Sequence, residues 1–403
     1  MGKWKECTIG DIGTVVGGAT PSTKKIENYE NGTIAWITPK DLSNFSGRYI
    51  SHGERNITET GLKSCSSQLM PKNSVLFTSR APIGYVAIAE NEVCTNQGFK
   101  SVVPNENTDF LFLYYLLKYN KDNIENMGSG TTFKEVSGRT MREIVVKVPE
   151  TIEEQHKIAE ILGTIDDKIE VNEKINKNLE EQNHTLTDEI LSNPSSDWTE
   201  VSLDTIATFI SGYSYKGKEL TVSDVAMATI KNFNRTGGFK LDGYKEIIPS
   251  NKLKATQHAN LFDLLVAHTD LTQNAEVIGN AEMVMSTSGY SDIVFSMDLV
   301  KVLPKEGISK FLLAALLQDK RFKAHCLGYV NGTTVLHLSR KALPEYSLLL
   351  PSSSVLQELD KTITPMYLAI ANNIKENIEL TNLRDSLLPK LMSGEIDVSN
   401  IGL

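Results

Sequence analysis

The 403-residue sequence has few of the features typical of membrane, secreted or zinc-binding proteins. Its longest apolar runs, Phe110–Leu117 and Phe311–Leu317, are far shorter than the roughly 20 residues that a membrane-spanning helix needs. The N-terminus lacks the apolar core of a signal peptide. Four scattered cysteines form no Cys-x-x-Cys pair, so we expect neither a disulfide framework nor a cysteine zinc site. We expect the protein to be cytoplasmic.

Motifs of enzymes that act on nucleic acids are also absent from the sequence. It contains no Phe-x-Gly-x-Gly and no Asn-Pro-Pro-aromatic segment, which an amino-methyltransferase would need, and no Glu-x-Lys of a nuclease. The segment Gly212–Glu219 departs from a phosphate loop because Glu219 replaces the hydroxyl residue that binds Mg²⁺. The seven histidines include no His-x-x-x-His pair. We therefore expect no catalytic residue and no metal site.

Acidic residues are concentrated in two segments of the chain, whose net charge is −9. Residues 150–192 carry 4 Lys plus Arg against 12 Asp plus Glu, and residues 352–403 carry 4 against 7. Residues 1–149 carry 17 against 15, and residues 193–351 carry 16 of each. Because whole-chain charge governs solubility rather than what a local surface binds, a nucleic-acid partner is not excluded.

The sequence repeats itself at an offset of about 200 residues. The matched pairs keep the same order along the chain: Trp4 with Trp198, Gly18 with Gly212, Ile83-Gly84 with Ile278-Gly279, Val102–Glu106 with Val302–Glu306, Leu116-Leu117 with Leu316-Leu317, Gly130-Thr131-Thr132 with Gly332-Thr333-Thr334, and Pro149 with Pro351. Two unrelated domains with accidental matches are the alternative to a duplication. Short β-branched runs and one apolar helix in each half predict a mixed α/β fold, repeated twice.

Each half is followed by a predicted long helix with a heptad seam, a line of core-facing positions spaced alternately four and three residues apart. The seam positions are Ile158, Leu162, Ile165, Ile169, Asn172, Asn176 and Leu179, then Leu359, Ile363, Met366, Ile370, Asn373, Asn377 and Leu380. The paired asparagines predict a defined register. We expect the two helices to pair within the chain, with separate packing or pairing between molecules as alternatives. Pro365 predicts a kink in the second helix.

These patterns predict four segments. Residues 1–149 form a first domain, 150–192 a central long helix, 193–351 a second domain, and 352–403 a C-terminal long helix with a short tail.

Polar loops differ between the two halves while the framework repeats. Arg, Lys, Asn and Gln read base edges, and Lys, Thr and backbone amides hold phosphates, so these loops are candidate DNA contacts. Solvated charges and tight turns are the alternative interpretation of the same residues. The candidates are Lys24, Lys40, Arg80, Thr131, Thr132, Lys134 and Arg139 in the first half, and Lys231, Asn232, Asn234, Arg235, Gln273, Thr333, Thr334 and Arg340 in the second.

The sequence resembles the specificity subunits of type I restriction–modification systems. The resemblance covers almost the whole chain and rests on the openings at Trp4 and Trp198, on Leu76–Gly84 and Thr269–Gly279, on the paired Gly-Thr-Thr segments, and on Pro149–Ala159 with its weaker partner Pro351–Leu359. The second helix lacks the Glu-Gln-x-x-Ile-Ala motif of the first helix.

The resemblance implies a role in host defence. Each half would be a target recognition domain that binds one part of a split double-stranded DNA target. The helices would form an antiparallel coiled coil that sets the gap and docks two modification subunits. Those partners would bring S-adenosylmethionine, and restriction subunits would bring ATP and Mg²⁺, so this chain would hold no cofactor itself.

Two other function classes remain open from the sequence: a self-sufficient DNA-modifying enzyme, and a coiled-coil scaffold that binds protein only. The near-neutral halves also predict that the chain alone binds DNA weakly, because phosphate neutralisation supplies much of DNA affinity.

Overall fold

A computed structural model of the chain describes residues 3–43, 45–80, 82–130, 134–399 and 401. The chain divides into two compact units. Unit 1 comprises Met1–Glu170 and Glu379–Leu403, and unit 2 comprises Val171–Ile378. No helix in the described part of the chain is long and apolar enough to cross a membrane.

Unit 1 contains ten strands and six shorter helices within its described residues. The strands are β1 (Trp4–Thr8), β2 (Gly13–Gly17), β3 (Ile34–Ile37), β4 (Tyr49–Ile50), β5 (Arg55–Ile57), β6 (Val75–Ser79), β7 (Ile83–Ala89), β8 (Val93–Thr95), β9 (Lys100–Pro104) and β10 (Val145–Pro149). The helices are α1 (Ile9–Ile12), α2 (Pro39–Ser43), α3 (Glu59–Lys63), α4 (Phe110–Tyr119), α5 (Lys121–Asn126) and α6 (Gly138–Glu143).

The sheets of unit 1 enclose a core centred on α4. A five-stranded sheet has the order β2-β9-β6-β7-β4, a three-stranded sheet has the order β5-β3-β8 with β3 and β8 parallel, and β1 pairs with β10. Helix α4 begins where the Asp109 side chain accepts a hydrogen bond from the Phe112 amide at 2.7 Å. Its residues Phe112–Leu117 are all buried, as expected for an apolar helix packed on a sheet.

Unit 2 contains twelve strands and three shorter helices within its described residues. One long helix, α7 (Ile152–Ser192), precedes them and another, α11 (Ser353–Met392), follows. The strands are β11 (Thr199–Ser202), β12 (Ala207–Ser211), β13 (Val225–Ala228), β14 (Lys245–Glu246), β15 (Leu264–Ala267), β16 (Thr269–Asp270), β17 (Ala281–Met283), β18 (Asp292–Phe295), β19 (Leu299–Pro304), β20 (Val330–Asn331), β21 (Leu336–Leu338) and β22 (Ser347–Leu350). The helices are α8 (Leu203–Ile206), α9 (Lys310–Leu317) and α10 (Lys320–Leu327).

The strand pairing of unit 2 repeats that of unit 1, which confirms the predicted pair of similar mixed α/β halves. The sheet β12-β19-β15-β17 corresponds to β2-β9-β6-β7, the parallel pair β13 and β18 corresponds to β3 and β8, and β11 with β22 corresponds to β1 with β10. Gly18 and Gly212 repeat because a side chain at either position would collide with a backbone carbonyl, that of Thr95 or of Ser296.

The two long helices contribute a segment to each unit, and in each unit these segments run antiparallel. In unit 2, Asn172 Nδ2 donates to Asn377 Oδ1 and Asn373 Nδ2 donates to Asn176 Oδ1, both at 2.8 Å. Residue numbers therefore rise along α7 while they fall along α11. The predicted antiparallel pairing is confirmed. Helix α11 also runs without a break through Pro365, so the proline does not end it.

We expect Gly279→Ala to destabilise the chain by about 2–4 kcal/mol because it combines backbone strain with overpacking. Gly279 has a φ of +78°, and an added Cβ would lie 2.7 Å from Cys326 Cβ. Gly307→Ala is the matched control, since Gly307 has a φ of +89° and nothing within 4 Å of the added atom. Urea unfolding of both variants measures the difference, and equal losses would contradict the steric part of the explanation.

Candidate nucleic-acid interface

In unit 1, the end of β6 and the segment that follows the Gly-Thr-Thr loop lie together. Arg80 and Glu135 form an isolated antiparallel bridge, and Arg80 Nη1 lies 3.7 Å from Glu135 Oε2. Lys100 Nζ lies 3.6 Å from the other oxygen of Glu135. Thr131 and Thr132, predicted in the same loop, lie outside the described residues. Glu135 therefore holds two basic side chains beside this loop.

The other four described candidate residues of unit 1 are exposed, and two of them pair with nearby acids. Lys40, at the start of α2, donates to Glu54 Oε2 at 2.6 Å. Arg139 in α6 donates to Glu143 Oε1 at 2.8 Å. Lys24 and Lys134 are exposed in loops. Exposed pairs of this kind are weak, so these side chains are free to exchange partners.

Unit 2 brings the corresponding loops together with different side chains. Gln273 Nε2 donates to the backbone oxygen of Thr333 at 2.6 Å, and also lies 3.5 Å from that of Thr334. Strand β16 pairs with β21, which follows the Gly-Thr-Thr loop. Thr333, Thr334 and Arg340 are exposed. An amide in unit 2 thus joins the loops that an Arg–Glu bridge joins in unit 1.

Two ionisable groups, a half-buried His268 and a buried Asp270, lie beside these loops in unit 2. Burial, with Arg340 and His337 nearby, lowers the pKa of His268 to about 4, so this ring is neutral at physiological pH. Burial opposes ionisation of Asp270. Hydrogen bonds from the Val277 and Thr272 amides and the Thr272 hydroxyl nevertheless lower its pKa. Asp270 is therefore an ionised carboxylate that shapes the turn before Ile278.

The loop after β13 contains the remaining candidates, and it places them differently. Lys231 and Arg235 are exposed, and Arg235 Nε lies 3.1 Å from Glu276 Oε2. Asn232 is fully buried. Its Oδ1 accepts from the Thr229 amide at 2.8 Å and its Nδ2 donates to Lys240 O at 2.7 Å. Asn232 therefore shapes the loop, while Asn234 is partly accessible.

Comparison with known proteins places the chain in a family. A profile described as "Type I restriction modification DNA specificity domain" matches residues 1–181. The type I restriction enzyme MjaIX specificity subunit of Methanocaldococcus jannaschii is 32% identical over 431 residues, which cover 99% of this chain and 94% of that protein. This chain belongs to the family of type I restriction enzyme specificity subunits.

Two further relatives agree with this assignment. The Escherichia coli EcoR124I/EcoR124II specificity subunit is 33% identical over 171 residues, which are 41% of each chain. The crystal structure of a type I restriction–modification S subunit from M. genitalium matches with a TM-score of 0.61 at 17% identity, and covers 97% of this specificity subunit and 96% of that chain. The structural match shows a shared fold.

The predicted seam positions of the specificity subunit that are buried lie in the first half of each long helix, as far as its middle. Ile158 and Leu162 belong to the core of unit 1, and Leu359, Ile363 and Ile370 belong to that of unit 2. Asn172 is buried, while the other seam positions Ile165, Ile169, Asn176, Leu179, Met366, Asn373, Asn377 and Leu380 range from buried to partly accessible. Tyr367, which the heptad pattern omitted, is buried and donates to Gln318 Oε1 at 2.7 Å.

Sequence reasoning missed a group of buried charges that attach the helices to unit 1. Arg48 is 4% exposed and pairs with Asp167 and Glu170 of α7. Asp166 accepts hydrogen bonds from Tyr115 Oη at 2.6 Å and from Arg384 Nη1 at 2.7 Å. No sequence pattern marks Asp166 or Arg48 as buried, although both side chains are.

The Asn176–Asn373 hydrogen bond predicts strongly coupled effects of substitution. Asn176→Leu alone should cost about 1 kcal/mol because it leaves the amide of Asn373 without a partner. Adding Asn373→Leu should restore the lost stability, since an apolar pair replaces the polar pair. A double-mutant cycle in urea measures this coupling, with exposed Asn178→Leu as the control. Additive losses would contradict the prediction.

Proposed function

We propose that this specificity subunit directs a type I restriction–modification enzyme to a DNA target in two separated parts, one read by each unit. One observation carries the proposal: the two units repeat the same strand pairing but join the same two loops with different polar side chains. Arg80 and Lys100 surround an acid in unit 1, whereas Gln273 binds the loop backbone in unit 2. One scaffold with two unequal sets of donors suits an asymmetric target.

The charge distribution supports a division of labour with partner subunits. The long helices are acidic, and like charge repels phosphate, so we assign them to docking modification subunits. Both halves are close to neutral, so the partners supply most of the phosphate contacts. In this proposal the partners also hold S-adenosylmethionine, ATP and Mg²⁺, and this chain contributes specificity and no catalytic residue.

The long helices are proposed to set the number of unread base pairs between the two parts. A helix advances about 1.5 Å per residue and B-DNA about 3.4 Å per base pair. The number of residues in a stiff helical spacer therefore sets the number of base pairs that it spans. Antiparallel asparagine pairs hold the two helices at one register, which keeps such a spacer at a constant length.

The central test measures DNA binding by this chain with and without its modification subunits. We expect weak binding without site preference from the chain alone, and tight binding at a two-part site from the complex, at one fixed salt concentration. Methylome sequencing of a host that expresses the complex identifies the site.

Two results would contradict the proposed function. Methyl transfer from labelled S-adenosylmethionine by the chain alone would favour a self-sufficient enzyme. A target that stays unchanged when residues 1–149 are exchanged for another such half would favour a protein-only scaffold.

We expect a matched pair of heptad insertions to lengthen the unread gap by about three base pairs, because seven residues add roughly 10 Å of helix. One heptad follows Leu179, and the other precedes Ile370, which the asparagine register places opposite it. Methylome sequencing reads the new gap. Insertion into α7 alone is the control, since it breaks the register. An unchanged gap in a stable double insertion would contradict the spacer role.

A further inference from the structure

Three polar side chains outside the loop of residues 234–238 in unit 2 form hydrogen bonds or an ion pair with residues of this loop. Glu282, on β17, accepts a hydrogen bond from the Gly238 amide at 2.8 Å. Asn280 Nδ2 donates to the backbone oxygen of Asn234 at 3.0 Å. The Glu276 carboxylate lies 3.1 Å from Arg235 Nε. Two candidate DNA-reading residues, Asn234 and Arg235, therefore lie in a loop whose conformation is stabilised by side chains from neighbouring segments.

Lys323 of α10 fixes the groups that hold this loop. Its Nζ donates to Asn280 Oδ1 at 2.7 Å and to the backbone oxygen of Glu276 at 2.6 Å. Because the ammonium group only donates, it directs Oδ1 of Asn280 toward itself and leaves Nδ2 for Asn234. The loop is thus connected through Asn280 to a side chain on a separate helix.

The position of unit 1 that corresponds to Glu282 has no carboxylate. Leu265 of β15 faces Glu282 in the same strand pairing in which Leu76 of β6 faces Ala87. Ala87 is fully buried and Glu282 is 7% exposed. The same scaffold therefore folds with a methyl group at this place. A buried carboxylate is costly, so its presence in unit 2 alone calls for a role other than folding.

Glu282 lines a cavity of about 480 Å³ in unit 2. The other titratable groups that line the cavity come from four elements: Lys177, Glu180, Glu181 and His184 of α7, Arg235 of the loop, Lys320 and Lys323 of α10, and Tyr367 of α11. Burial raises the pKa of Glu282 to about 7, a shift that the Gly238 amide and Lys323 oppose and that Glu180 increases. Burial lowers the pKa of His184, so this ring adds little charge near neutrality.

We propose that Glu282, Asn280 and Lys323 are positioning residues that determine which bases unit 2 reads, by holding the 234–238 loop in one conformation. This inference rests on the proposed two-part DNA recognition. An ionised carboxylate accepts a stronger hydrogen bond from the Gly238 amide than a carboxylic acid does. The loop is therefore held tightly when Glu282 is charged, and discrimination by unit 2 falls as the pH drops through about 7.

The test uses the full chain in complex with its modification subunits and the target found by methylome sequencing. Duplexes with single-base changes in one part or the other are compared with the target between pH 6 and pH 8.5. We expect Glu282→Gln at pH 8 to lower discrimination about tenfold at positions of the part read by unit 2, and to leave the other part unchanged. Its pH profile should be flat, whereas that of the unaltered protein slopes.

Two further variants separate positioning from folding and from general charge. Lys323→Met should reduce discrimination in the same part, because it releases the Asn280 amide. Glu306→Gln removes an equal charge from an exposed position and should change nothing. Glu282→Gln should melt no lower than the unaltered protein at pH 8. A carboxyl whose pKa is raised on folding lowers stability as the pH rises from its unfolded pKa, near 4.5, to about 7.

The outcomes distinguish this inference from the function on which it rests. Unchanged discrimination in both Glu282→Gln and Lys323→Met would overturn the positioning role while two-part recognition stands. Equal losses in both parts would overturn it as well, because the 234–238 loop belongs to unit 2 alone. If the unaltered complex reads no two-part site, the proposed function fails and the inference fails with it.

Discussion

The antiparallel pairing of the two long helices is the constraint on which both units depend. An amphipathic helix must cover its apolar face, and each unit uses a segment of α7 together with a segment of α11 to do so. In unit 1, Ile158 and Leu162 share a core with Leu391, near the chain's C-terminal end. In unit 2, Leu186 packs on the cluster that contains Leu359. The core of unit 1 therefore includes residues that are more than 200 positions apart in the sequence.

Polar groups at equivalent places give the two repeats different chemistry. Asp166 of α7 binds Tyr115 and Arg384 in unit 1, whereas its repeat counterpart on α11, Tyr367, binds Gln318 in unit 2. In unit 2 a neutral hydrogen bond replaces the charged cluster of unit 1, and in both units the contact still joins a long helix to the rest of the unit. Duplication thus fixed the framework, and substitution at polar positions made the two copies distinct, in the helices as well as in the loops.

Much of the framework was predictable because its signals are local. The heptad spacing, the asparagines at Asn172 and Asn176, and the repeated glycines each reflect a geometric requirement within a few residues or along one helix. The burial of polar side chains was less predictable. Asn232 has a polar side chain of a kind usually found at the surface, but it is buried. Glu282 and Arg48 are ionisable residues and are buried as well. Residue type alone favours exposure for all three, so the burial of these side chains could not be predicted from the sequence.

The sequence by itself determined that there are two copies of one unit and two helices able to pair, because periodicity and repetition are properties of the chain's order. Only the tertiary structure decided which polar residues act together. Gly238 and Glu282 are 44 positions apart, and Arg384 and Asp166 are 218 apart. Whether such a pair forms depends on strand register and helix packing, which set the neighbours of each side chain and the water it loses, and neither is encoded in the identity of a single residue.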